Sequence, residues 1–227
     1  MQFLYSTPES EAGIAALTTS LENALSLHSR VLWLVPGGSN IPLTVRVMHA
    51  LSDHVTEKLH IMLTDERYGV VDHADSNFRQ LREAGFEALN ARFIPTLQDG
   101  LSLEQTAASY AENFEREADQ AGYIIAQFGI GPDGHIAGIL PGSPASTSGK
   151  LAEGYVAAQF ERVTLTFPAL KRIDEAFVFA YGEAKKPTLG QLKSVATPLT
   201  EQPAQILRQI PEATIYNDCI AEEASNI

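Results

Sequence analysis

A histidine and a carboxylate two residues apart form the clearest candidate for chemistry in this sequence. They belong to the run Gly-Ile-Gly-Pro-Asp-Gly-His at positions 129–135, which follows the apolar segment Tyr123–Phe128. Histidine has an ordinary pKa of about 6.5, which suits proton transfer near neutral pH. The glycines would let backbone and side chains approach a small ligand. We therefore expect His135 and Asp133 to be catalytic; the alternative is a turn histidine bonded to the backbone.

The remaining histidines lie in helical, strand-edge or polar stretches, and we expect them to be structural or solvated: His28, His49, His54, His60 and His73. Asp72 and Asp75 flank His73, but their spacing matches no known pattern of metal ligands. The sequence predicts no metal and no organic cofactor.

A glycine turn follows the apolar run Val31–Val35 and precedes a helical stretch. Gly37, Gly38 and Ser39 there could offer backbone amides, a helix N-terminus and a hydroxyl to a phosphate. The turn lacks the lysine of a nucleotide-binding P-loop and the GxGxxG pattern of dinucleotide-binding proteins. The alternative is a plain strand-to-helix turn in which Ser39 or Asn40 caps the helix.

Charged residues follow the next apolar run, Leu59–Thr64. Asp65 could orient a sugar hydroxyl and Arg67 could hold an oxyanion at the edge of a sheet. A solvated charged loop with an internal ion pair is the alternative. Arg162 and Lys185 also lie at strand boundaries, and separate cations of this kind can hold a phosphate together with the glycine turn.

Continuous apolar strands alternate with helical stretches along the chain, a pattern typical of a doubly wound α/β fold with a mainly parallel sheet. We expect Thr7-Pro8 to begin the first helix. The segment 140–154 could be either a domain boundary or an active-site loop. The predicted strands are Val31–Val35, Leu59–Thr64, Tyr123–Phe128, Tyr155–Phe160, Arg162–Phe167 and Ala176–Tyr181, with a helix over Leu103–Ala118.

The composition restricts the possible partners. The chain has 227 residues and a formal net charge of −12, which argues against broad nucleic-acid or anionic-membrane surfaces. Cys219 is the only cysteine, so no disulfide framework exists, and neither a signal peptide nor a membrane-spanning run is visible. We expect a single domain over residues 1–227 and a cytoplasmic location. The oligomeric state stays open.

In chain order, these segments resemble the 6-phosphogluconolactonase family, which belongs with the glucosamine-6-phosphate deaminases. The resemblance implies a three-layer αβα fold and hydrolysis of 6-phospho-D-glucono-1,5-lactone to 6-phosphogluconate in the oxidative pentose phosphate pathway. It implies phosphate binding by Gly38, Ser39, Arg162 and Lys185. It also implies that Asp65, Arg67 and His135 lie near the sugar and the reacting carbonyl. Asp218 would match the family's last segment.

Two departures from the family pattern stand out. Asn40-Ile41-Pro42 follows Ser39 where the family commonly has Thr-Pro, and Gly138 occupies a position that is commonly serine. Gly138 carries no hydroxyl, so this chain lacks any contact that the serine side chain would make.

A third position separates lactone hydrolysis from deamination. Deaminase relatives have a glutamate five residues after the histidine, and here that residue is Leu140. Leucine cannot relay a proton, so the sequence favours the lactonase. We expect His135 to activate water, with Asp133 or Asp65 orienting the imidazole or the sugar hydroxyls. A deaminase and a non-catalytic sugar-phosphate sensor are the alternatives.

Overall fold

Ten strands and six helices make up the part of the chain that the computed structural model describes, residues 1–51 and 57–220. The strands are β1 (Gln2–Tyr5), β2 (Val31–Val35), β3 (Leu59–Leu63), β4 (Asp65–Arg67), β5 (Arg92–Phe93), β6 (Tyr123–Phe128), β7 (Ala152–Val156), β8 (Glu161–Leu165), β9 (Glu175–Phe179) and β10 (Glu212–Asn217). The helices are α1 (Ala12–Leu27), α2 (Ile41–Ala50), α3 (Asn77–Glu83), α4 (Leu103–Gln120), α5 (Phe167–Leu170) and α6 (Lys186–Ser194). Among these residues, no helix is both long and apolar enough to cross a membrane.

Seven strands form a central sheet in the order β1-β10-β9-β6-β2-β3-β5, and every neighbouring pair is parallel. The other three form a small antiparallel sheet in the order β4-β8-β7. The chain thus has the expected α/β fold with a mainly parallel sheet. The antiparallel pairing expected near residues 155–167 occurs, but in this second sheet.

The central sheet is buried on both faces, which explains its continuous apolar strands. In β2, Val31, Trp33 and Val35 enter one core, which α1, α2 and α3 cover. The alternate residues Leu32 and Leu34 enter a second core, covered by α4, α5, α6 and the small sheet. Helices therefore flank the sheet on both sides, giving the three layers that the resemblance implied.

Most predicted elements are confirmed with small shifts of boundary, but the strand predicted over Tyr155–Phe160 is wrong at 157–160, since β7 ends at Val156 and these residues connect it to β8. The predicted helix over Leu103–Ala118 is α4, and Ser102 and Gln105 form a capping box at its start. The predicted N-terminus at Thr7-Pro8 is wrong, because α1 begins at Ala12 and residues 7–10 form a turn. That turn takes the chain from β1, which pairs with β10, into the helix layer.

The ends of three central strands are joined by one side chain. Asn40 is 4% exposed, and its Nδ2 donates hydrogen bonds to the carbonyl oxygens of Phe128 (3.1 Å) and Phe179 (3.2 Å). Because Asn40 follows β2 while Phe128 and Phe179 end β6 and β9, this amide ties the first glycine turn to two neighbouring strands. These two hydrogen bonds give a structural role to Asn40, which departs from the family pattern.

We expect Asn40→Ala to lower the free energy of unfolding by about 2 kcal/mol, because it leaves two buried carbonyls without their donor. Urea denaturation monitored by tryptophan fluorescence measures the change. Asn23→Ala, on the exposed face of α1, is the matched control and should change stability by less than about 0.5 kcal/mol. Equal effects of the two substitutions would contradict the bridging role of Asn40.

Candidate active site

A cavity of about 290 Å³ lies at the carboxyl ends of the central strands, between the large and the small sheet. It is where a doubly wound sheet ordinarily binds its ligands. Eight of the nine predicted site residues line it: Gly37, Gly38, Ser39, Asp65, Arg67, His135, Arg162 and Lys185. The ninth, Asp133, lies behind His135 and contacts its ring.

The first glycine turn leaves β2 and enters a short 3-10 helix, Gly38–Asn40, before α2. Gly38 has a φ of +67°, a conformation that favours glycine. Gly37 is required for a different reason, since a Cβ there would lie 2.0 Å from Oδ1 of Asn77. The turn therefore stays close to α3, with Gly38 and Ser39 exposed at the cavity.

Asn77, which is not among the predicted site residues, lines the cavity and is 1% exposed. Its Nδ2 donates to the carbonyl oxygen of Asp65 (2.9 Å), and its Oδ1 is buried with no hydrogen-bond partner among the described residues. Asn77 thus links the glycine turn to the strand that carries Asp65. The sequence signal for Asn77 is weak: it ends the polar run Asp75-Ser76-Asn77, which follows the charged residues after β3.

Glu66 anchors the start of α3 and does not reach the cavity. Its carboxylate accepts hydrogen bonds from the backbone amides of Arg67, Asn77 and Phe78 and from the Ser76 hydroxyl. Burial nevertheless raises the pKa of Glu66, because desolvation outweighs these hydrogen bonds, which lower it. Glu66 therefore holds the backbone of Arg67 and the first residues of α3 in place.

Two arginines are cross-strand neighbours in the small sheet. Arg67 in β4 pairs directly with Arg162 in β8. A guanidinium nitrogen of Arg162, Nη1, lies 3.6 Å from Oδ2 of Asp65, and both side chains are nearly buried. Nη1 of Arg67 donates to the carbonyl oxygen of Asp75 at 2.8 Å. The alternative of a solvated charged loop at 65–67 is thus wrong, since these residues form β4, and Asp65 and Arg67 line the cavity.

His135 is oriented by Asp133. The imidazole Nδ1 lies 2.6 Å from Oδ1 of Asp133, which also accepts the His135 backbone amide at 3.2 Å. The hydrogen bond to the imidazole is the main reason that the pKa of Asp133 lies below its ordinary value. A charged carboxylate at Nδ1 favours the tautomer that carries its proton there, which leaves Nε2 as the basic nitrogen.

The glycine at position 131 makes room for this pair. A Cβ on Gly131 would lie 2.1 Å from Nδ1 of His135 and 2.5 Å from Oδ1 of Asp133. The loop itself is fixed from outside, because the hydroxyl of Thr188 in α6 donates to the carbonyl oxygen of Pro132 and the Ala204 amide donates to that of Gly134. The imidazole therefore rests on a backbone that neighbouring segments hold in place.

Gly138 fits its surroundings only as glycine. A Cβ there would lie 2.8 Å from Cβ of Thr164 and 2.9 Å from Cβ of Asp65. The Gly138 amide donates to the Thr164 hydroxyl (2.9 Å), and its carbonyl accepts from the Tyr155 hydroxyl (2.5 Å). Thr164 and Asp65 therefore fill the space that a side chain at 138 would need.

Lys185 ends a short 3-10 helix, Glu183–Lys185, that follows β9. Desolvation lowers the pKa of Lys185, and the nearby Asp218 partly opposes the shift. Asp218 also accepts the Gly182 amide at 2.8 Å, which holds the turn before Lys185. The match of Asp218 to the family's last segment thus has a structural counterpart beside the cavity.

The other described histidines lie elsewhere. His60 is buried and bonds Glu117 at 2.6 Å, while Nε2 of His73 contacts the carbonyl oxygen of Arg67 at 2.9 Å. His28 stacks on Tyr123, and His49 contacts the carbonyl oxygen of Gly85. His54 lies outside the described residues.

Fold and cavity together define a doubly wound α/β protein with a histidine and three cationic side chains at the carboxyl edge of its sheet. The family model for glucosamine-6-phosphate isomerases/6-phosphogluconolactonase matches residues 9–216. The chain therefore belongs to this family.

Individual relatives agree with the family match. A 6-phosphogluconolactonase of Caulobacter vibrioides is 31% identical over 211 residues, which is 88% of each chain. One from Synechocystis sp. is 28% identical over 208 residues, covering 87% of this chain and 86% of the relative. A crystal structure of a 6-phosphogluconolactonase from Shewanella baltica superposes with a TM-score of 0.81 at 23% identity, covering 96% and 97% of the two chains.

A monomeric glucosamine-6-phosphate deaminase has the same fold, with a TM-score of 0.79 at 14% identity and coverage of 96% of this chain and 97% of its own. Solved structures named as a lactonase and as a deaminase thus share this fold, and the fold alone does not distinguish the two activities.

We expect Gly131→Ala to raise the pKa of Asp133 toward its ordinary value, because the new methyl group displaces the imidazole that lowers it. A titration of ¹³C-labelled aspartate by NMR, assigned with Asp133→Asn, measures the shift. Gly190→Ala is the matched control, since a Cβ at Gly190 in α6 meets no atom within 4 Å. An Asp133 pKa that stays low in Gly131→Ala would contradict the proposed contact.

Proposed function

We propose that this protein is an enzyme that hydrolyses 6-phospho-D-glucono-1,5-lactone to 6-phosphogluconate in the oxidative pentose phosphate pathway. The observation that carries the proposal is the His135–Asp133 pair beside a cavity with three cationic side chains. The curated relatives in the family carry the name of this activity. We further propose that the chain works as one domain in the cytoplasm, without a metal or organic cofactor.

His135 is the general base in this proposal. Its Nε2 takes a proton from water as the water oxygen attacks C1 of the lactone, while Asp133 stabilises the imidazolium that forms. When the tetrahedral intermediate collapses, the C1–ring oxygen bond breaks and the imidazolium returns the proton to the departing ring oxygen. One histidine thus acts first as base and then as acid, and the products are the open-chain acid and the regenerated enzyme.

The cationic side chains divide the remaining work. Lys185, Arg162 and the amides after Gly37 bind the phosphate, with the Ser39 hydroxyl as an additional donor. Arg67 stabilises the negative charge that develops on the C1 oxygen. Asp65 holds Arg162 in place and, as a lining carboxylate, orients a sugar hydroxyl.

Deamination of glucosamine 6-phosphate is the second candidate, because the family and the fold include that activity. Leu140 stands where deaminase relatives have a glutamate, and it is not among the residues that line the cavity. Among the described lining residues, Asp65 is the one carboxylate, and Arg162 is its ion-pair partner. This arrangement favours lactone hydrolysis, which needs fewer proton transfers.

A coupled assay tests the proposal. Glucose-6-phosphate dehydrogenase generates the lactone in situ, and added protein should speed its disappearance above the spontaneous rate. Release of ammonia from glucosamine 6-phosphate without that acceleration would identify a deaminase. Binding of 6-phosphogluconate with neither reaction would identify a sugar-phosphate sensor.

Replacing His135 by alanine should lower turnover by about 10² to 10⁴, the usual contribution of general acid–base catalysis. Binding of 6-phosphogluconate, measured by calorimetry, should change less than about threefold because the phosphate contacts remain. His49→Ala, on the exposed side of α2, is the control and should keep full activity. Undiminished turnover in His135→Ala would remove this residue from the mechanism.

Lys185→Met should raise KM for the lactone about tenfold or more, since a partly desolvated cation at the phosphate is lost. Turnover should fall much less, because the ammonium contacts the phosphate in both the ground state and the transition state. The exposed Lys171→Met is the control for a change of one net charge. Similar KM values for the two variants would show that Lys185 does not bind the phosphate.

A further inference from the structure

One aromatic ring contacts both arginines of the cavity. Cζ of Arg67 lies 5.1 Å and Cζ of Arg162 lies 5.9 Å from the centroid of the Phe160 ring. Phe160 closes the turn between β7 and β8, where its carbonyl accepts the Ala157 amide at 2.9 Å. The ring is half-buried, although it belongs to a surface hairpin.

The placement of Phe160 follows from the strand pattern. Phe160 and Arg162 are two residues apart, so their side chains leave the same face of the small sheet. Arg67 is the cross-strand partner of Arg162 and therefore lies on that face too. The hairpin between β7 and β8 thus delivers the ring to both guanidiniums at once.

Two like charges directly opposite each other in a sheet repel. The described residues supply only modest compensation for Arg67 and Arg162: the Asp75 carbonyl contacts the first, and Asp65 at 3.6 Å contacts the second. The Nε atoms of both arginines are buried with no hydrogen-bond partner in the described part of the chain. The negative face of an aromatic ring attracts both guanidiniums and needs no further counter-charge.

We propose that Phe160 is a positioning residue, which holds Arg67 and Arg162 side by side at the cavity so that both can meet the oxygens of an anionic substrate. This inference rests on the proposed function for the identity of that substrate. It assigns to the ring an electrostatic role as well as a packing role. A side chain of similar size without a π face should therefore be a poor replacement.

The experiment compares three substitutions at one position. Phe160→Leu keeps an apolar side chain, Phe160→Met keeps an unbranched one, and Phe160→Tyr keeps the ring. We expect the Leu and Met variants to raise KM for the lactone about tenfold and to lower kcat as well, because Arg162 binds the phosphate while Arg67 stabilises the charge that develops in the transition state. We expect the Tyr variant to stay within about twofold of the unsubstituted protein in both constants. Gln159→Ala, in the same turn, is the control and should behave like the unsubstituted protein. Thermal unfolding shows which variants are folded.

A second readout separates this inference from the proposed function. Calorimetry with inorganic phosphate and with 6-phosphogluconate measures anion binding without turnover, and the Leu and Met variants should bind both more weakly. Normal binding by a folded Leu or Met variant would overturn the positioning role, as would a Tyr variant impaired as much as these. The unsubstituted protein could fail to hydrolyse the lactone while the Leu and Met variants still lose anion binding. That result would overturn the proposed function and leave the positioning role of Phe160 in place.

Discussion

Three cationic side chains around one small cavity repel each other, and much of the local structure serves to hold them there. Asp65 lies beside Arg162, a backbone carbonyl contacts Arg67, and Asp218 lies near Lys185. Each compensation is partial, so the cavity stays positive inside a chain whose net charge is −12. Near contacts outweigh the distant field, which salt screens beyond about 8–10 Å. An anionic ligand would supply the missing counter-charge.

Close approach between segments is the second requirement, and glycine meets it at three places. Gly37 lies against Asn77, Gly131 lies against the His135–Asp133 pair, and Gly138 lies against Thr164 and Asp65. At each of these positions a single Cβ would overlap atoms of the site. At these three positions, the absence of a Cβ, more than a positive φ, is what the structure requires. The glycines thereby set the distances between the side chains of the site.

The pairing of Asp133 with His135 was predictable from the sequence because it is local. Asp133 and His135 are two residues apart, so their contact depends on one turn, and the glycines between and before them mark that turn. The convergence of Gly38, Arg67 and Lys185 was predictable at lower precision, because parallel strands place their carboxyl ends at one edge. The antiparallel strand formed by Asp65–Arg67 was not predictable, since three polar residues carry no apolar alternation.

The amino-acid sequence by itself determined the fold class, the edge of the sheet that holds the site, and the histidine with its carboxylate partner. Tertiary structure alone decided that Asp133 orients the imidazole while Asp65 faces Arg162. It also decided that Asn77 lies against Asp65 and that Phe160 lies against both arginines. The contact of Asn77 with Asp65 crosses from α3 to β4, and that of Phe160 with Arg67 depends on the pairing of β4 with β8, so no local periodicity records either contact.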